Sequence, residues 1–160
     1  MDRIILDPTK CVGCRVCEGI CSLVNEGESN PVKSRIKVVR TIENVILYSI
    51  PVFCQQCETA SCEAVCPRTA INRNGNGVLS VDEEKCVGCR LCEIACPVGA
   101  ITVNPEKGVA IKCNQCRDFG EPQCVKHCYP KALQFLPAEK VGKAKANAKA
   151  QKFLEMVRRD

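Results

Sequence analysis

The sequence is poor in the residues that build a large apolar core: among 160 residues there are no Trp, four Phe, two Tyr and two Met. It also lacks a long hydrophobic run. The longest apolar stretch, Val45 to Cys54, is interrupted by Ser49 and Pro51 and falls far short of the roughly 20 residues that a membrane-spanning helix needs. The N-terminal segment Met1 to Asp7 has no basic region followed by an apolar one, and the only Arg-Arg pair, Arg158-Arg159, stands at the wrong end for export, so a cytoplasmic location is expected. There is no nucleophile–base pair, phosphate loop, dinucleotide fingerprint or pterin-binding motif, so the chain is not expected to catalyse a reaction by itself.

What the sequence has instead is cysteine, 16 residues or one tenth of the chain. The hydrophobic fraction of 46% includes those cysteines, and without them only about 36% remains, less than a usual globular domain. Disulfides, zinc or iron-sulfur clusters must supply what the thin core does not. A reducing cytoplasm argues against disulfides.

The cysteines fall into four groups. The first, Cys11-Val-Gly-Cys14-Arg-Val-Cys17-Glu-Gly-Ile-Cys21, and the third, Cys86-Val-Gly-Cys89-Arg-Leu-Cys92-Glu-Ile-Ala-Cys96-Pro97, are identical at eight of eleven aligned positions, an internal repeat of one supersecondary unit. The second (Cys54, Cys57, Cys62, Cys66-Pro67) and the fourth (Cys113, Cys116, Cys124, Cys128-Tyr129-Pro130) keep both ends of the pattern and lengthen its middle spacer. The spacing of the third group resembles the bacterial ferredoxin run for a [4Fe-4S] cluster. Three thiolates on a tight loop reach three corners of a cubane, and Gly13 and Gly88 let the backbone approach closely. Zinc also uses four thiolates, but in two separated C-x2-C pairs, and these crowded runs fit it less well.

In two-cluster ferredoxins the fourth cysteine of each run serves the other cluster. Only 19 residues, containing a hairpin, separate Cys66 from Cys86, so the second and third groups pair, and the first and fourth pair by elimination. The expected ligand sets are Cys11, Cys14, Cys17 and Cys128 for cluster 1; Cys113, Cys116, Cys124 and Cys21 for cluster 2; Cys54, Cys57, Cys62 and Cys96 for cluster 3; and Cys86, Cys89, Cys92 and Cys66 for cluster 4. All sixteen thiols are used, which leaves none for thiol catalysis.

The remaining sequence reads as scaffold, with the overall class α+β. Short β-prone stubs follow the last three groups: Thr69–Ile71, Gly99–Val103 and Lys131–Phe135. Hairpins are expected over Ala70–Val81 and Ala100–Ile111, and a strand pair from Arg35–Arg40 and Val45–Ile50, with Val24–Ser34 as a loop. His127, the only histidine, is set aside as a ligand because each cluster already has four thiolates. Glu18 and Glu93, equivalent in the two repeats, are expected as solvated charges on short helices, and Arg15 and Arg90 as cluster-tuning or surface cations. Residues 138–160 hold seven cations against three anions and read as a basic helix, with Val141, Ala144, Ala148, Leu154 and Val157 as a shallow apolar stripe toward a partner or another copy of the chain.

The order of the groups, the x4 spacer in the second, the long spacer in the fourth and Asn30-Pro31-x4-Ile36-Lys37-Val38 after the first resemble the four-cluster ferredoxin-like electron-transfer subunits of dimethyl sulfoxide reductase, formate dehydrogenase and hydrogenase systems. The resemblance runs from Ile4 to about Leu136. It departs at Ser22, where Pro is expected after Cys21, and at Tyr129, between Cys128 and Pro130. It implies two nested bacterial-ferredoxin-like units, an outer one from 1–53 with 105–137 and an inner one over 54–104, followed by the C-terminal helix. It also implies electron transfer through four [4Fe-4S] clusters to or from a large catalytic subunit, with a flavin-containing subunit or a ferredoxin as the second partner. The short chain and basic tail are most similar to the small subunit of tungsten aldehyde oxidoreductases, with hydrogenase, carbon monoxide dehydrogenase, formate dehydrogenase or a free polyferredoxin as alternatives. A zinc-stabilised nucleic-acid adaptor is the reading from another class, suggested by the formal charge of +5. Four oxidised clusters with their thiolates contribute about −8, which turns residues 1–137 into an acidic body and argues against nucleic acid as partner.

Overall fold

The computed structural model describes residues 2–43, 45–143, 146 and 150. Among these residues the structure is a small mixed α and β arrangement of four two-stranded antiparallel ribbons and short helices. In order, the elements are β1 (Asp2–Leu6), α1 (Val16–Glu26), β2 (Ile36–Glu43), β3 (Ile46–Phe53), α2 (Ser61–Ala64), β4 (Ile71–Arg73), β5 (Leu79–Val81), α3 (Leu91–Ala95), β6 (Thr102–Val103), β7 (Ala110–Ile111), α4 (Gln123–Lys126) and β8 (Leu133–Pro137), with 3-10 turns at Pro31–Lys33 and Arg117–Phe119.

Strand β1 pairs with β8 from the other end of the sequence, in a register that sets Ile4 opposite Phe135. The other three ribbons are local. β4 and β5 pair across the Asn74–Gly77 turn, β6 and β7 across the turn from Asn104 to Gly108, as the turn residues predict. β2 and β3 run longer than expected, to eight residues each.

The region expected as a loop over Val24–Ser34 is corrected at its start, because α1 continues through Glu26. Pro67 and Pro97 follow the fourth cysteine in the second and third groups, and α2 and α3 have ended by then; a proline cannot continue the hydrogen-bond ladder. Ser22 in the first group imposes no such stop. Its Oγ donates to the Glu18 and Gly19 carbonyls within the helix and accepts the Asn30 N–H. The helix ends at Gly27, whose left-handed backbone (φ 78°) lets its N–H reach the Leu23 carbonyl, a conformation that favours glycine.

Among the described residues two buried clusters stand in place of a single core. One gathers Ile4, Cys21, Ile36, Phe53, Cys113, Cys124 and Leu133; the other gathers Ala60, Cys62, Ile71, Leu79, Cys92, Ile101 and Ala110. Cysteines sit in both, so the thiols occupy the interior that aromatic residues usually fill. Residues 138–143, 146 and 150 are helical and Val141 is half-buried. The rest of the expected stripe, Ala144, Ala148, Leu154 and Val157, lies outside the described residues. No helix among the described residues is long and apolar enough to cross a membrane.

Candidate functional site

Each cysteine loop is tied to the scaffold by turns that hold its backbone in the left-handed region. The residue before the second cysteine of every group has positive φ: Gly13 (67°), Gln56 (52°), Gly88 (64°) and Gln115 (58°). At the two glycines the need is steric as well as conformational. A Cβ on Gly88 would collide with the carbonyl oxygen of Gly108, and one on Gly13 with the hydroxyl of Ser49.

The two glutamines accept the same backbone and use their side chains as buried ties. Gln56 is 1% exposed; its Nε2 donates to the Cys113 carbonyl (2.8 Å), and its Oε1 accepts the Leu79 N–H (2.8 Å). Gln115 Nε2 donates to the Asp2 carbonyl at 3.0 Å. Sequence reasoning missed both, although Cys54-Gln-Gln-Cys57 and Cys113-Asn-Gln-Cys116 align with the Cys-Val-Gly-Cys loops and point to that position.

Three cavities of similar size, about 350, 380 and 350 Å³ with their open mouths, are lined by cysteines from two groups each. Cys86, Cys89 and Cys92 share one with Cys66. Cys54, Cys57 and Cys62 share the second with Cys96, and Cys11, Cys14 and Cys17 share the third with Cys128. The remaining four, Cys21, Cys113, Cys116 and Cys124, are all buried. They lie close enough that, after burial, a charge on Cys21 is among the influences raising the other three thiols. Among the described residues no three Cys, His, Asp or Glu side chains converge tightly enough for a single metal ion. The donor sets surround a volume instead of a point, and every donor is a thiol, which fits a cubane of iron and sulfide better than one tetrahedral cation.

Backbone N–H groups point at the sulfurs. Ala70 donates to Cys66 Sγ (3.3 Å), Ala100 to Cys96 (3.4 Å), Leu133 to Cys128 (3.4 Å), Ala110 to Cys86 (3.3 Å), Gln56 to Cys54 and Gln115 to Cys113 (both 3.4 Å). Such donors stabilise the thiolate form and the charge of whatever it binds. Burial works the other way, pushing the Cys17 thiol up to about 12 and the Cys92 thiol up to about 11, so binding metal releases protons from these groups.

Glu18 is not the solvated charge expected of it. It is 1% exposed; its Oε1 accepts the Val38 N–H at 2.7 Å, and Oε2 meets Arg15 Nε at 2.5 Å. The cause is the β2–β3 ribbon, which lies over α1 and presents the Val38 N–H to this carboxylate. Glu93 conforms more nearly to expectation: its side chain keeps 33% exposure and faces Arg90 at 3.7 Å. His127 is exposed, with Nδ1 2.9 Å from the Gln123 carbonyl at the end of α4, and lines none of the three cavities.

Residues 45–137 match the model of the 4Fe-4S dicluster domain. The chain belongs to this family of ferredoxin-like iron-sulfur electron-transfer proteins, and [4Fe-4S] clusters are its cofactors. It is 40% identical to the putative electron transport protein YsaA of Escherichia coli over 86% of this chain and 91% of that one. It is 38% identical to the thiosulfate reductase electron transfer subunit PhsB of Salmonella typhi, over 81% and 72%. Among solved structures it resembles a chain of the active site complex BamBC of benzoyl coenzyme A reductase, with a TM-score of 0.51 and 29% identity over 84% of this chain and 75% of that one. The first cysteine group lies outside the family match.

Proposed function

We propose that the chain is an electron-relay subunit that carries four [4Fe-4S] clusters between a catalytic oxidoreductase subunit and a second redox protein. The observation that carries this reading is the sharing of cysteines: each of three cavities is lined by three thiols of one group and the last thiol of another. The ligand sets are then those expected from the sequence, with Cys21, Cys113, Cys116 and Cys124 as the buried fourth set. The two buried clusters support an outer unit, closed by β1 on β8, around an inner unit.

When bound, each cluster supplies a one-electron couple and no bond chemistry. The chain's part is to place the clusters in order and to control their surroundings. Cys54 packs against the core that contains Cys113 and Cys124, which sets the second and fourth groups side by side in the interior. Cys14 and Cys89 are the two exposed cysteines, so the first and third groups form the ends of the relay. Exposed Val12 and Val16 flank Cys14, while Val87 and Leu91 flank Cys89; these apolar rims exclude water from a docked partner. Arg40 Nη2 holds the first loop through the Gly13 carbonyl at 2.9 Å.

A catalytic partner is supported by the likeness to a chain of an active site complex and to a reductase electron-transfer subunit. Within that class we favour a tungsten aldehyde oxidoreductase in the cytoplasm, on the sequence resemblance. Anaerobically purified protein is expected to hold about 16 iron atoms with matching sulfide; stoichiometric zinc without visible absorbance overturns the reading. Native co-purification should bring down a large tungsten-containing subunit. A chain that migrates alone is a free polyferredoxin, and a partner without tungsten removes the aldehyde oxidoreductase assignment.

A further inference from the structure

Lys112 follows the last residue of β7 and precedes Cys113, yet it is 2% exposed. Its Nζ donates to the Leu79 carbonyl at 2.5 Å, and it takes part in none of the ion pairs among the described residues. A buried ammonium held by a neutral carbonyl is costly unless a counter-charge lies near. Glu83 lines a polar cavity with Lys112 but pairs with Lys107; the other nearby candidates are thiolates, and the charge of Lys112 acts on Cys62. Leu79 lines the cavity of Cys54, Cys57, Cys62 and Cys96, and on the other side Lys112 is the chain neighbour of Cys113. Gln56 converges on the same place, bridging Leu79 to the Cys113 carbonyl. One cation and one amide thus occupy the seam between the inner cavity and the buried fourth set.

We propose that Lys112 sets the potential at this seam: its fixed positive charge favours the reduced, more negative state of the cluster held by Cys54, Cys57, Cys62 and Cys96, easing passage of an electron between the two units. The proposal rests on the four-cluster reading above. Transfer moves one electron from one cluster to its neighbour, oxidising the first and reducing the second; no bond forms or breaks. A cation next to a cluster raises its potential through the field it adds, as other surrounding groups do. Lys112 acts through the cluster and is a positioning residue.

The test is a redox titration of the loaded full-length chain, followed cluster by cluster by electron paramagnetic resonance. In Lys112→Met, the ratio of reduced to oxidised for one cluster at a fixed potential is expected to fall about tenfold, a shift of about 59 mV for one electron, with the other clusters less affected. Lys112→Arg keeps the charge and is expected to restore the potential. Unmoved potentials in a fully iron-loaded Lys112→Met overturn the proposal. So does a Lys112→Arg variant that shifts as far as Lys112→Met, because charge is then not the cause. Failure of both Lys112→Met and Lys112→Gln to load iron, with Lys112→Arg loading normally, assigns the residue to folding and also overturns it. Iron content separates these results from failure of the relay reading itself, which zinc in the wild-type protein reveals.

Discussion

The first and third cysteine groups share eight of eleven positions, and their loops begin alike: Arg15 and Arg90 both take left-handed backbone (φ 62° and 63°) before a helix. After the fourth cysteine they diverge. Pro97 follows Cys96, α3 stops at five residues, and the Ala100 N–H turns back to Cys96 Sγ. Ser22 follows Cys21, α1 runs eleven residues, and the backbone N–H four residues on lies inside the helix. There the Asn25 side chain takes its place, with Nδ2 at 3.8 Å from Cys21 Sγ and 2.8 Å from the Cys21 carbonyl. A motif therefore determines how thiols are presented, while its neighbours determine what surrounds them. The longer helix supports the β2–β3 ribbon, and the ribbon buries Glu18 where its twin Glu93 stays partly open.

The sharpest way to break this comparison is at the paired glycines. Alanine at either position meets the left-handed penalty of about 1–2 kcal/mol. At Gly88 the obstacle is a backbone oxygen, which cannot turn aside; at Gly13 it is the Ser49 hydroxyl, which can rotate, together with the Ser49 Cβ at 2.9 Å, which needs only a small shift. Gly88→Ala is expected to lose about four iron atoms per chain and Gly13→Ala to keep its full complement; equal iron contents by metal analysis end the distinction. Next in size, Ser22→Pro removes a helical hydrogen bond inside α1 and costs about 3 kcal/mol. Pro97→Ser, which lies after its helix, costs less than about 1 kcal/mol. Rates of loss of cluster absorbance in guanidinium rank the two.

Glu18→Ala leaves the buried Val38 N–H without an acceptor, at about 1–3 kcal/mol. Glu93→Ala loses an exposed pair, at about 0.5 kcal/mol. Thermal midpoints of the loaded protein check the order, and similar midpoints would show that the ribbon does not isolate Glu18. The smallest effect is expected at Asn25→Leu, which removes a donor near Cys21 and lowers one cluster potential by less than the 59 mV of a tenfold ratio. A potentiometric titration that moves two clusters equally would contradict it.

What was legible in the sequence was local. Cysteine spacing and the Asn-Gly and Pro-to-Gly turns of two hairpins each act within a few residues, so their outcome is written beside them. The length of α1 was also within reach, since Gly27 marks its end and Ser22 fails to stop it earlier. The burial of Glu18, the β1–β8 pairing and the reach of Gln56 to Cys113 depend on segments 20, more than 100 and 57 residues apart, and nothing in the local pattern carries that information.

The pairing of Asp2–Leu6 with Leu133–Pro137 has a consequence for how the protein is made. A ribosome delivers Cys11, Cys14 and Cys17 long before Cys128, with which they share a cavity. At about 5–20 residues per second the interval is roughly 5–20 s, during which the early thiols have no finished home. The inner segment, from Cys54 to Cys96, emerges whole in the meantime. The shared cavities can therefore be completed only from the middle of the chain outward, and β8, the last strand among the described residues, closes on the first.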